Sequence, residues 1–310
     1  MKFSTQEKFD RTIGSGETCW RSKVAARLAC LAMGLLFGIN AVSAAPPVAN
    51  DTPAKSAVSV RADVAGAADL SGIPQAPAGK AWQVVFVDEF EGPALDETKW
   101  ELMDCPRRGH RWSPKTFHLD NQGHAVFETK EIAPGKYGSP CIRTRGKFEH
   151  RFGYYVARCK LAKQPGHWSA FWLMGDSVHG EGDEGRDGTE IDIVEFPFRD
   201  GRYQHNLHWN GYGAAHKTAG YTSEPTDVMN GWHTFGVLWT EDEYIFDVDG
   251  KETWRTSAGG VCQVPLYLKL SEEIGEWDAA IAAIKKAKLP DRFLVDYVRV
   301  YDLTEAQAKR

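Results

Sequence analysis

The sequence predicts an all-β fold, a β-sandwich or jelly roll. Short runs of alternating or β-branched apolar residues follow one another from Trp82 onward. Residues that favour turns separate these runs, and a single segment has helical spacing. A chain with many short strands and few helices buries its apolar faces by packing one sheet on another.

The individual elements follow from the apolar periodicity and from the turn residues between the runs. Eleven segments have the composition of strands: 83–90, 125–130, 142–151, 154–161, 168–174, 189–196, 203–209, 233–240, 243–248, 267–270 and 293–301. Asp249 and Gly250 join two runs of the chain and predict a tight hairpin turn. A surface helix is predicted over residues 277–289, which have apolar side chains at helical spacing and end before Pro290.

Residues 1–45 have the features of a secretory signal peptide. Residues 1–27 hold six Lys and Arg against three acidic residues, and residues 28–39 contain no charge. Small residues follow at 41–45, as they do before a cleavage site. The uncharged run is shorter than the roughly 20 residues that span a bilayer. We therefore expect a secreted or periplasmic protein with no stable membrane association once the signal is removed.

Residues 46–80 are predicted to be a disordered linker, because they are rich in Ala, Pro and Ser and have few large apolar side chains to bury. Residues 81–310 then form one domain, of a size that suits a single all-β unit. Without residues 1–27, the chain's 37 basic and 42 acidic residues fall to 31 and 39, a net charge of −8. This balance disfavours a nucleic-acid partner, and we expect a monomer.

Four cysteines remain in the exported chain: Cys105, Cys141, Cys159 and Cys262. An oxidising compartment permits disulfides, and four cysteines allow three full pairings. Cys105 and Cys141 both lie beside prolines in loop-like contexts, which favours a bridge between them. Cys159 lies within a predicted strand, as a buried thiol would. No cysteine spacing resembles a zinc site.

Residues 188–196 place three carboxylates inside an apolar, β-branched run, where carboxylates are costly. Successive side chains of a strand point to opposite faces, so Glu190 and Asp192 share a face. Glu195 breaks this alternation. A β-bulge of one extra residue between Asp192 and Glu195 would return Glu195 to the face of the other two acids. The segment therefore predicts three acids in a row on one face of a bulged strand.

Carboxyl groups arranged in this way suit glycoside hydrolysis. In the retaining mechanism, two carboxyl groups about 5–5.5 Å apart act on one bond, one as nucleophile and the other as acid and base. At ~3.3 Å per step, the backbones of Glu190 and Glu195 are roughly 13 Å apart, a gap that two Glu side chains can narrow. We expect Asp192, between them, to hydrogen-bond Glu190, and like charge to raise at least one pKa of the three. A solvated acidic strand face and a calcium site are the alternatives.

Aromatic residues flank the acidic strand in the sequence, and the chain has 11 tryptophans. Trp168 and Trp172 share one face of the strand before the acids, and His208 and Trp209 end the strand after them. Core packing is the alternative for each of them. If these strands neighbour the acidic strand, all four residues flank the carboxylates. We therefore expect Trp168, Trp172, His208 and Trp209 to bind a sugar substrate.

These segments together resemble glycoside hydrolase family 16, the group of laminarinases and lichenases. The family signature Glu-x-Asp-x-x-Glu is matched by Glu190, Asp192 and Glu195. Further segments are similar to the family in the same order along the chain: 86–90, 95–100, 154–161, 166–174, 232–235 and 296–301. The resemblance covers most of residues 82–302.

The resemblance implies a concanavalin-like β-jelly-roll sandwich of two antiparallel sheets, with a cleft across the concave sheet. It implies endo-acting, retaining cleavage of a β-linked polysaccharide, with Glu190 as nucleophile, Glu195 as acid and base, and Asp192 as their assistant. No cofactor is implied for catalysis. Some members of the family hold a structural calcium ion near the first and last strands, and Glu89 and Asp296 match that region.

The leading expectation for the substrate is β-1,3- or β-1,3-1,4-glucan, cleaved by an endo-β-glucanase. The same signature serves galactanases of the agarase or carrageenase type, for which a basic cleft is expected. The net charge of −8 and the acidic loop at 180–188 favour a neutral glucan. Ser169 and Val156 stand where the family usually has Pro and Glu. A transglycosylase or a carbohydrate-binding, lectin-like domain would also fit this fold, although a pure lectin has no use for Glu190 and Glu195 together.

Overall fold

The computed structural model of the protein describes residues 73–305. The predicted signal peptide, residues 1–45, and most of the predicted linker, residues 46–80, lie outside the described residues. The first strand begins at Lys80, beside the predicted start of the folded domain. Within the described part of the chain, no helix has the length and apolar character needed to cross a bilayer.

One sheet of the described domain has eleven strands. The last strand of the domain lies near the middle of this sheet and pairs with the first strand. The strands are β1 (Lys80–Asp88), β3 (Cys105–Arg107), β4 (His110–Trp112), β5 (Phe117–Leu119), β6 (Ala125–Ala133), β7 (Lys136–Ser139), β10 (Gly153–Lys160), β15 (His233–Trp239), β16 (Tyr244–Val248), β17 (Lys251–Thr256) and β19 (Asp291–Glu305). Their order is β17-β16-β15-β10-β19-β6-β7-β4-β3, with β1 on β19 and β5 on β6. All of these pairs are antiparallel except β4 with β7.

The second sheet has eight strands and carries the acidic segment. The strands are β2 (Glu101–Leu102), β8 (Cys141–Arg143), β9 (Glu149–His150), β11 (His167–Met174), β12 (Thr189–Glu195), β13 (Gln204–Trp209), β14 (Lys217–Thr222) and β18 (Leu266–Ile274). Their order is β14-β13-β12-β11-β18-β8-β2, with β9 on β18, and every pair is antiparallel. The acidic strand β12 therefore lies between β11 and β13. These are the two strands that carry the flanking aromatic residues, so both neighbour the acids as predicted.

A single large apolar core lies between the two sheets. Alternate side chains of the second sheet point into it, among them Phe171, Ile191 and Leu207, and Val237 and Val298 meet them from the first sheet. All five are fully buried, and burying a side chain of this kind contributes roughly 1.5–3 kcal/mol. The other side chains of β11, β12 and β13 are left for the opposite face. The predicted all-β jelly-roll sandwich is confirmed.

Most predicted elements are present, with differences at turns and edges. The predicted strand 142–151 is two strands, β8 and β9, because the chain turns between them at Gly146, whose φ is +70°. Asp249 and Gly250 form the predicted hairpin turn between β16 and β17, with φ of +53° and +71°, as a type I′ turn requires. The predicted helix is shorter than expected, because the chain turns after α1 (Asp278–Ile284) to enter β19.

The structure confirms the prediction for Cys159, a buried free thiol, and contradicts the predicted bridge between Cys105 and Cys141. Cys105 is disulfide-bonded, whereas Cys141, Cys159 and Cys262 are buried free thiols. The predicted bridge between Cys105 and Cys141 is therefore wrong. Cys141 lies in β8, hydrogen-bonded into the sheet beside β18, and it packs in an apolar cluster with Met103. Burial raises the pKa of the Cys141 thiol to about 11, so it stays neutral.

Candidate active site

The three carboxylates share one face of β12 because this strand carries a bulge. Asp192 lies opposite Trp172 of β11, whereas Glu195 lies opposite Ala170. Three steps along β12 therefore match two steps along β11, which is one extra residue in β12. The same shift appears in the pairing of β12 with β13. The bulge turns Glu195 onto the face of Glu190 and Asp192, as the sequence predicts.

Three N–H donors hold the carboxylate of Glu195. Trp168 Nε1 donates to Oε1 at 2.9 Å, and Gln204 Nε2 and Asn206 Nδ2 donate to Oε2 at 3.0 and 2.7 Å. Trp168 comes from β11, and the two amides come from β13, so the strands on both sides of β12 fix this side chain. Glu195 is 8% exposed. Its carboxyl group is therefore oriented by the sheet itself, which is the rigid support that a catalytic group needs.

Glu190, at the other end of the acidic row, has a different donor. The hydroxyl of Tyr212 donates to Oε2 of Glu190. Tyr212 lies in the loop after β13, where Asn210 and Gly211 have φ of +59° and +67° and turn the chain back toward the sheet. Burial and the charge of Glu190 hold the pKa of Tyr212 well above its usual value, so the phenol stays protonated and keeps donating.

Asp192 lies between the two glutamates and contacts His208 of β13. Its Oδ2 is 3.4 Å from Nε2 of His208, whose Nδ1 is 3.0 Å from Nε2 of His216. Burial and the charges of Glu195 and Glu190 raise the pKa of Asp192 well above its usual value. Burial opposes the charge on His208, but the contact with Asp192 and the nearby acids raise its pKa to about 9. The site therefore holds an additional proton at neutral pH.

Glu190, Asp192 and His208 also offer ligand atoms within 4.8 Å of one another, the one group of this kind among residues 73–305. Carboxylates and an imidazole are ligands for divalent cations. Both carboxylates are, however, already engaged, Glu190 with Tyr212 and Asp192 with His208. These contacts suit the placement of protons and charge in a catalytic row.

The two residues predicted to hold calcium are engaged by arginines instead. Arg299 donates from Nε and Nη2 to the two oxygens of Glu89 at 2.8 and 3.0 Å. Arg158 Nη1 donates to Asp296 at 2.6 Å. A guanidinium group against each carboxylate repels a second cation at the same place. This arrangement does not fit the predicted calcium site.

Three of the four residues predicted to bind sugar lie on the face of the second sheet that carries the three acids, which we call the cleft face. Trp168 and Trp172 pack together there with Ala170, and His208 lies directly opposite Glu190. Trp168 is only 1% exposed. Its contact with the three acids is the N–H that it donates to Glu195. Contact of these three residues with a substrate stays a prediction.

The prediction that Trp209 lines the cleft is wrong. Trp209 follows His208 on β13, so the two side chains point to opposite faces of the sheet. His208 takes the cleft face, and Trp209 packs into the main core. Its Nε1 donates to Glu184 of the acidic loop at 3.0 Å. Trp209 therefore supports the fold behind the acidic strand.

Buried cations on the cleft side of the second sheet were not found by sequence analysis. Lys269 of β18 lies opposite Trp172. Arg107 and Arg108 lie at the turn between β3 and β4, and Arg107 Nε donates to Glu273 of β18 at 2.9 Å. Burial opposes the charge on Glu273, but Arg107 and Arg108 hold its pKa at about 2. A two-residue basic pair beside a glycine is common in surface turns and carried no signal of burial.

Comparison with known proteins agrees with this geometry. The sequence model of Glycosyl hydrolases family 16 matches residues 108–299, which include the three acids. Glucan endo-1,3-beta-glucosidase A1 of Niallia circulans is 26% identical over 282 residues, which are 78% of this chain and 41% of that protein. Keratan-sulfate endo-1,4-beta-galactosidase of Sphingobacterium multivorum is 28% identical over 246 residues, 72% of this chain and 56% of that protein. The chain thus spans about half the length of these relatives.

The fold is similar to solved structures as well. The endo-beta-1,3-glucanase of Pyrococcus furiosus superposes with a TM-score of 0.60 and 27% sequence identity. The match covers 76% of this chain and 100% of the chain in that structure. The described domain therefore corresponds to an entire chain of that enzyme.

Proposed function

This chain belongs to glycosyl hydrolase family 16, and on that premise we propose that it is an endo-acting, retaining glycoside hydrolase of a β-linked polysaccharide. The bulge in β12 carries the proposal, because it puts Glu190 and Glu195 on one cleft-facing surface with Asp192 between them. A retaining glycosidase needs two carboxyl groups that act together on one bond. Two glutamates, each fixed by its own donors, meet that need.

In the first step, Glu190 attacks the anomeric carbon while Glu195 gives its proton to the glycosidic oxygen. The bond between that carbon and oxygen breaks, the leaving sugar departs as an alcohol, and a glycosyl ester forms on Glu190. In the second step, Glu195 takes a proton from a water molecule, which attacks the same carbon and releases Glu190. Two inversions leave the product with the β configuration of the substrate.

The hydrogen bonds of the two glutamates suit the charges that these steps require. The hydroxyl of Tyr212 stabilises Glu190 as the carboxylate that attacks. The three N–H donors around Glu195 stabilise the carboxylate that it becomes after giving its proton, which is the base of the second step. The proton held by Asp192 and His208 limits the like charge between the two glutamates.

We propose β-1,3- or β-1,3-1,4-glucan as the first substrate class. The relatives from Niallia circulans and Pyrococcus furiosus are both named as enzymes that act on β-1,3-glucan. A transglycosylase would use the same two glutamates and would differ only in the acceptor that replaces water. Product analysis separates these two outcomes.

A galactan of the agarase or carrageenase type is the second candidate. The relative from Sphingobacterium multivorum is named as a galactosidase that acts on keratan sulfate. The buried cations Arg107, Arg108 and Lys269 lie against the rings of Trp112, Trp168 and Trp172, on the side of the second sheet that carries the acids. The net charge of −8 is weak evidence for a neutral glucan. Exposed charges more than about 10 Å from a substrate are largely screened at 0.1 M salt, so they have little effect on which polysaccharide binds.

We further propose that the protein is exported, because residues 1–45 have the basic lead, uncharged run and small residues of a signal peptide. Expression in a bacterial host followed by fractionation tests this. The mature protein in the medium or periplasm should begin near residue 45. A protein that keeps its N-terminus and stays in the cytoplasm would contradict export.

One assay tests the proposed activity. The protein is incubated with laminarin, lichenan, agarose and κ-carrageenan, and reducing ends, product length and the anomer of the first products are followed. Internal cleavage and a β anomer are expected. Glu190→Gln and Glu195→Gln should each lower turnover by several orders of magnitude and leave the circular dichroism spectrum unchanged. Near-normal activity in either variant would refute these roles, and binding without turnover on every polysaccharide would favour a lectin.

A further inference from the structure

His205 of β13 lies directly opposite the bulge in the acidic strand β12. Two residues of β12, Ile193 and Val194, separate the last two acids. On β13, the residues that pair with those acids are separated by His205 alone. A bulge of this kind interrupts the ladder of backbone hydrogen bonds. A buried carbonyl group at such a place needs a donor from elsewhere.

The imidazole of His205 supplies a donor to the bulge. Its Nδ1 lies 2.5 Å from the carbonyl oxygen of Ile193, and both residues are buried. A carbonyl oxygen only accepts, so Nδ1 carries the hydrogen. Burial lowers the pKa of His205 to about 4. The ring is therefore neutral at neutral pH, and its Nε2 can accept from the hydroxyl of Thr253 at 2.9 Å.

Three further strands hold the ring in this orientation. Phe246 of β16 stacks on it with 4.7 Å between the ring centroids. Tyr221 of β14 stacks on it at 5.8 Å, and Thr253 belongs to β17. The imidazole cannot turn away from Ile193 without breaking these contacts. The N–H therefore stays directed at the carbonyl group of the bulge.

The two neighbours of His205 on β13 hold Glu195 from the other face of the sheet. Alternation puts Gln204 and Asn206 on the cleft face. Their amides donate to Oε2 of Glu195 at 3.0 and 2.7 Å. Three successive residues of β13 therefore hold the bulge from both faces, one through the backbone and two through the carboxylate. A shift of the Ile193 carbonyl group would move Glu195 relative to these donors.

Core packing alone does not explain an imidazole at this position. The ring faces the core and not the acids, since it packs on Phe246 of the main apolar cluster. Burying a polar ring is unfavourable unless its nitrogens are hydrogen-bonded. An apolar side chain would fill the same space without that cost. The bond to Ile193 is what His205 adds.

We propose that His205 is a positioning residue for the reaction: its N–H, bonded to the Ile193 carbonyl, fixes the bulge and thereby the place of Glu195 as acid and base. A catalytic group displaced by about 1 Å can lower a rate about 100-fold. This inference rests on the proposed glycosidase function and adds to it a residue that acts from the core side of the sheet.

Two substitutions separate the hydrogen bond from the packing. His205→Phe keeps a ring between Phe246 and Tyr221 and removes the donor. His205→Asn removes the ring and keeps an N–H close to the place of Nδ1. We expect His205→Phe to lower kcat/KM about 10- to 100-fold on the polysaccharide that the wild-type protein cleaves. His205→Asn should stay close to the wild-type value. A role in packing alone would reverse this order.

An activated substrate shows whether the acid is what the substitution displaces. A dinitrophenyl glycoside of an oligosaccharide that the wild-type protein releases has a leaving group that needs little proton donation from Glu195. In His205→Phe, kcat/KM for this glycoside should stay near the wild-type value while hydrolysis of the polysaccharide falls. A general loss of structure would lower both.

Phe246→Leu is the matched control, because it loosens the packing of the same ring and leaves the bond to Ile193 in place. It should lower the free energy of unfolding and keep both activities. If circular dichroism shows that His205→Phe is unfolded, His205→Leu replaces it with the same expectation.

Wild-type hydrolysis of the polysaccharide by His205→Phe would overturn the proposal. Equal losses on both substrates, or a greater loss in His205→Asn than in His205→Phe, would overturn it too. Crystal structures of the two variants test the geometry without catalysis: Glu195 should leave the amides of Gln204 and Asn206 in His205→Phe only. The proposed function fails separately, since a wild-type protein that hydrolyses neither polysaccharide nor glycoside would contradict it whatever the position of Glu195 in these variants.

Discussion

The contact between His208 and Asp192 makes the stability of this protein depend on pH in a defined direction. In the folded protein, burial opposes the charge on His208, but Asp192 and the neighbouring glutamates raise its pKa from 6.5 to about 9. At about 1.4 kcal/mol per pKa unit, this rise corresponds to about 3 kcal/mol of favourable interaction. His208 is almost fully buried, so solvent screens little of it.

The sign follows from the direction of the shift. The folded pKa of His208 lies above the unfolded one, so its stabilisation is complete below pH 6.5 and is lost as pH rises through about 9. The raised pKa of Asp192 acts in the same direction, since the folded protein again binds a proton more tightly than the unfolded chain. The free energy of unfolding should therefore fall by about 3 kcal/mol between pH 6.5 and 9 on account of this site.

Asp192→Asn tests this reasoning, because it keeps the shape of the side chain and removes its charge. The pKa of His208 should move toward 6.5, and the decline in stability between pH 6.5 and 9 should become shallower. Urea unfolding of both proteins at several pH values measures the difference in slope. His167 and Lys269 also have shifted pKa values, but they are present in both proteins and cancel. Equal slopes, or an NMR titration that gives wild-type His208 a pKa near 6.5, would refute the account.

Three further changes have defined outcomes. Tyr212→Phe removes the hydroxyl donor of the proposed nucleophile and should lower kcat about 10- to 100-fold without unfolding; an unchanged kcat would show that the hydrogen bond is idle. Trp209→Phe should lower the free energy of unfolding by roughly 1–3 kcal/mol and leave KM unchanged, whereas Trp172→Phe should raise KM. If both variants had the same effect on KM, Trp209 and Trp172 would not lie on opposite faces of the sheet. Deletion of Ile193 removes the extra residue, turns Glu195 away from the cleft and should abolish turnover; Ile193→Val is the control that keeps the bulge and the activity.

The central strands could be predicted from sequence because each of their two faces has its own kind of side chain. In β11 and β12, inward apolar residues alternate with residues that line the cleft, and this period-two pattern is visible in the chain. The sequence pattern does not predict strands β14 and β17. Both strands, Lys217–Thr222 and Lys251–Thr256, are polar and largely exposed at the sheet edges. Their position depends on backbone pairing with β13 and β16, which no local composition records.

The row of three acids was predictable for the same reason. Carboxylates inside an apolar run are costly, and the broken alternation at Glu195 required a bulge, which the strand pairing confirms. The prediction for Trp209 is wrong because it placed two successive strand residues, His208 and Trp209, on the same face of the sheet. Alternation allows only one of His208 and Trp209 to face the cleft.

The remaining site residues come from tertiary contacts that the sequence does not express. Tyr212 reaches Glu190 from a loop, and Arg107 reaches the cleft from a hairpin turn of the other sheet. Net charge averages over the whole surface and does not register the position of buried cations such as Lys269.

The roles of the two glutamates are tested most directly by azide rescue with an activated aryl β-glycoside of the sugar that the wild-type protein cleaves. In Glu190→Ala, azide should attack once in place of the nucleophile and yield the α-glycosyl azide. In Glu195→Ala, Glu190 still forms the ester, azide should replace water in the second step, and the β-glycosyl azide should result. NMR of the products distinguishes the two anomers. Exchanged anomers, or the same anomer from both variants, would contradict a retaining mechanism with Glu190 as nucleophile and Glu195 as acid and base.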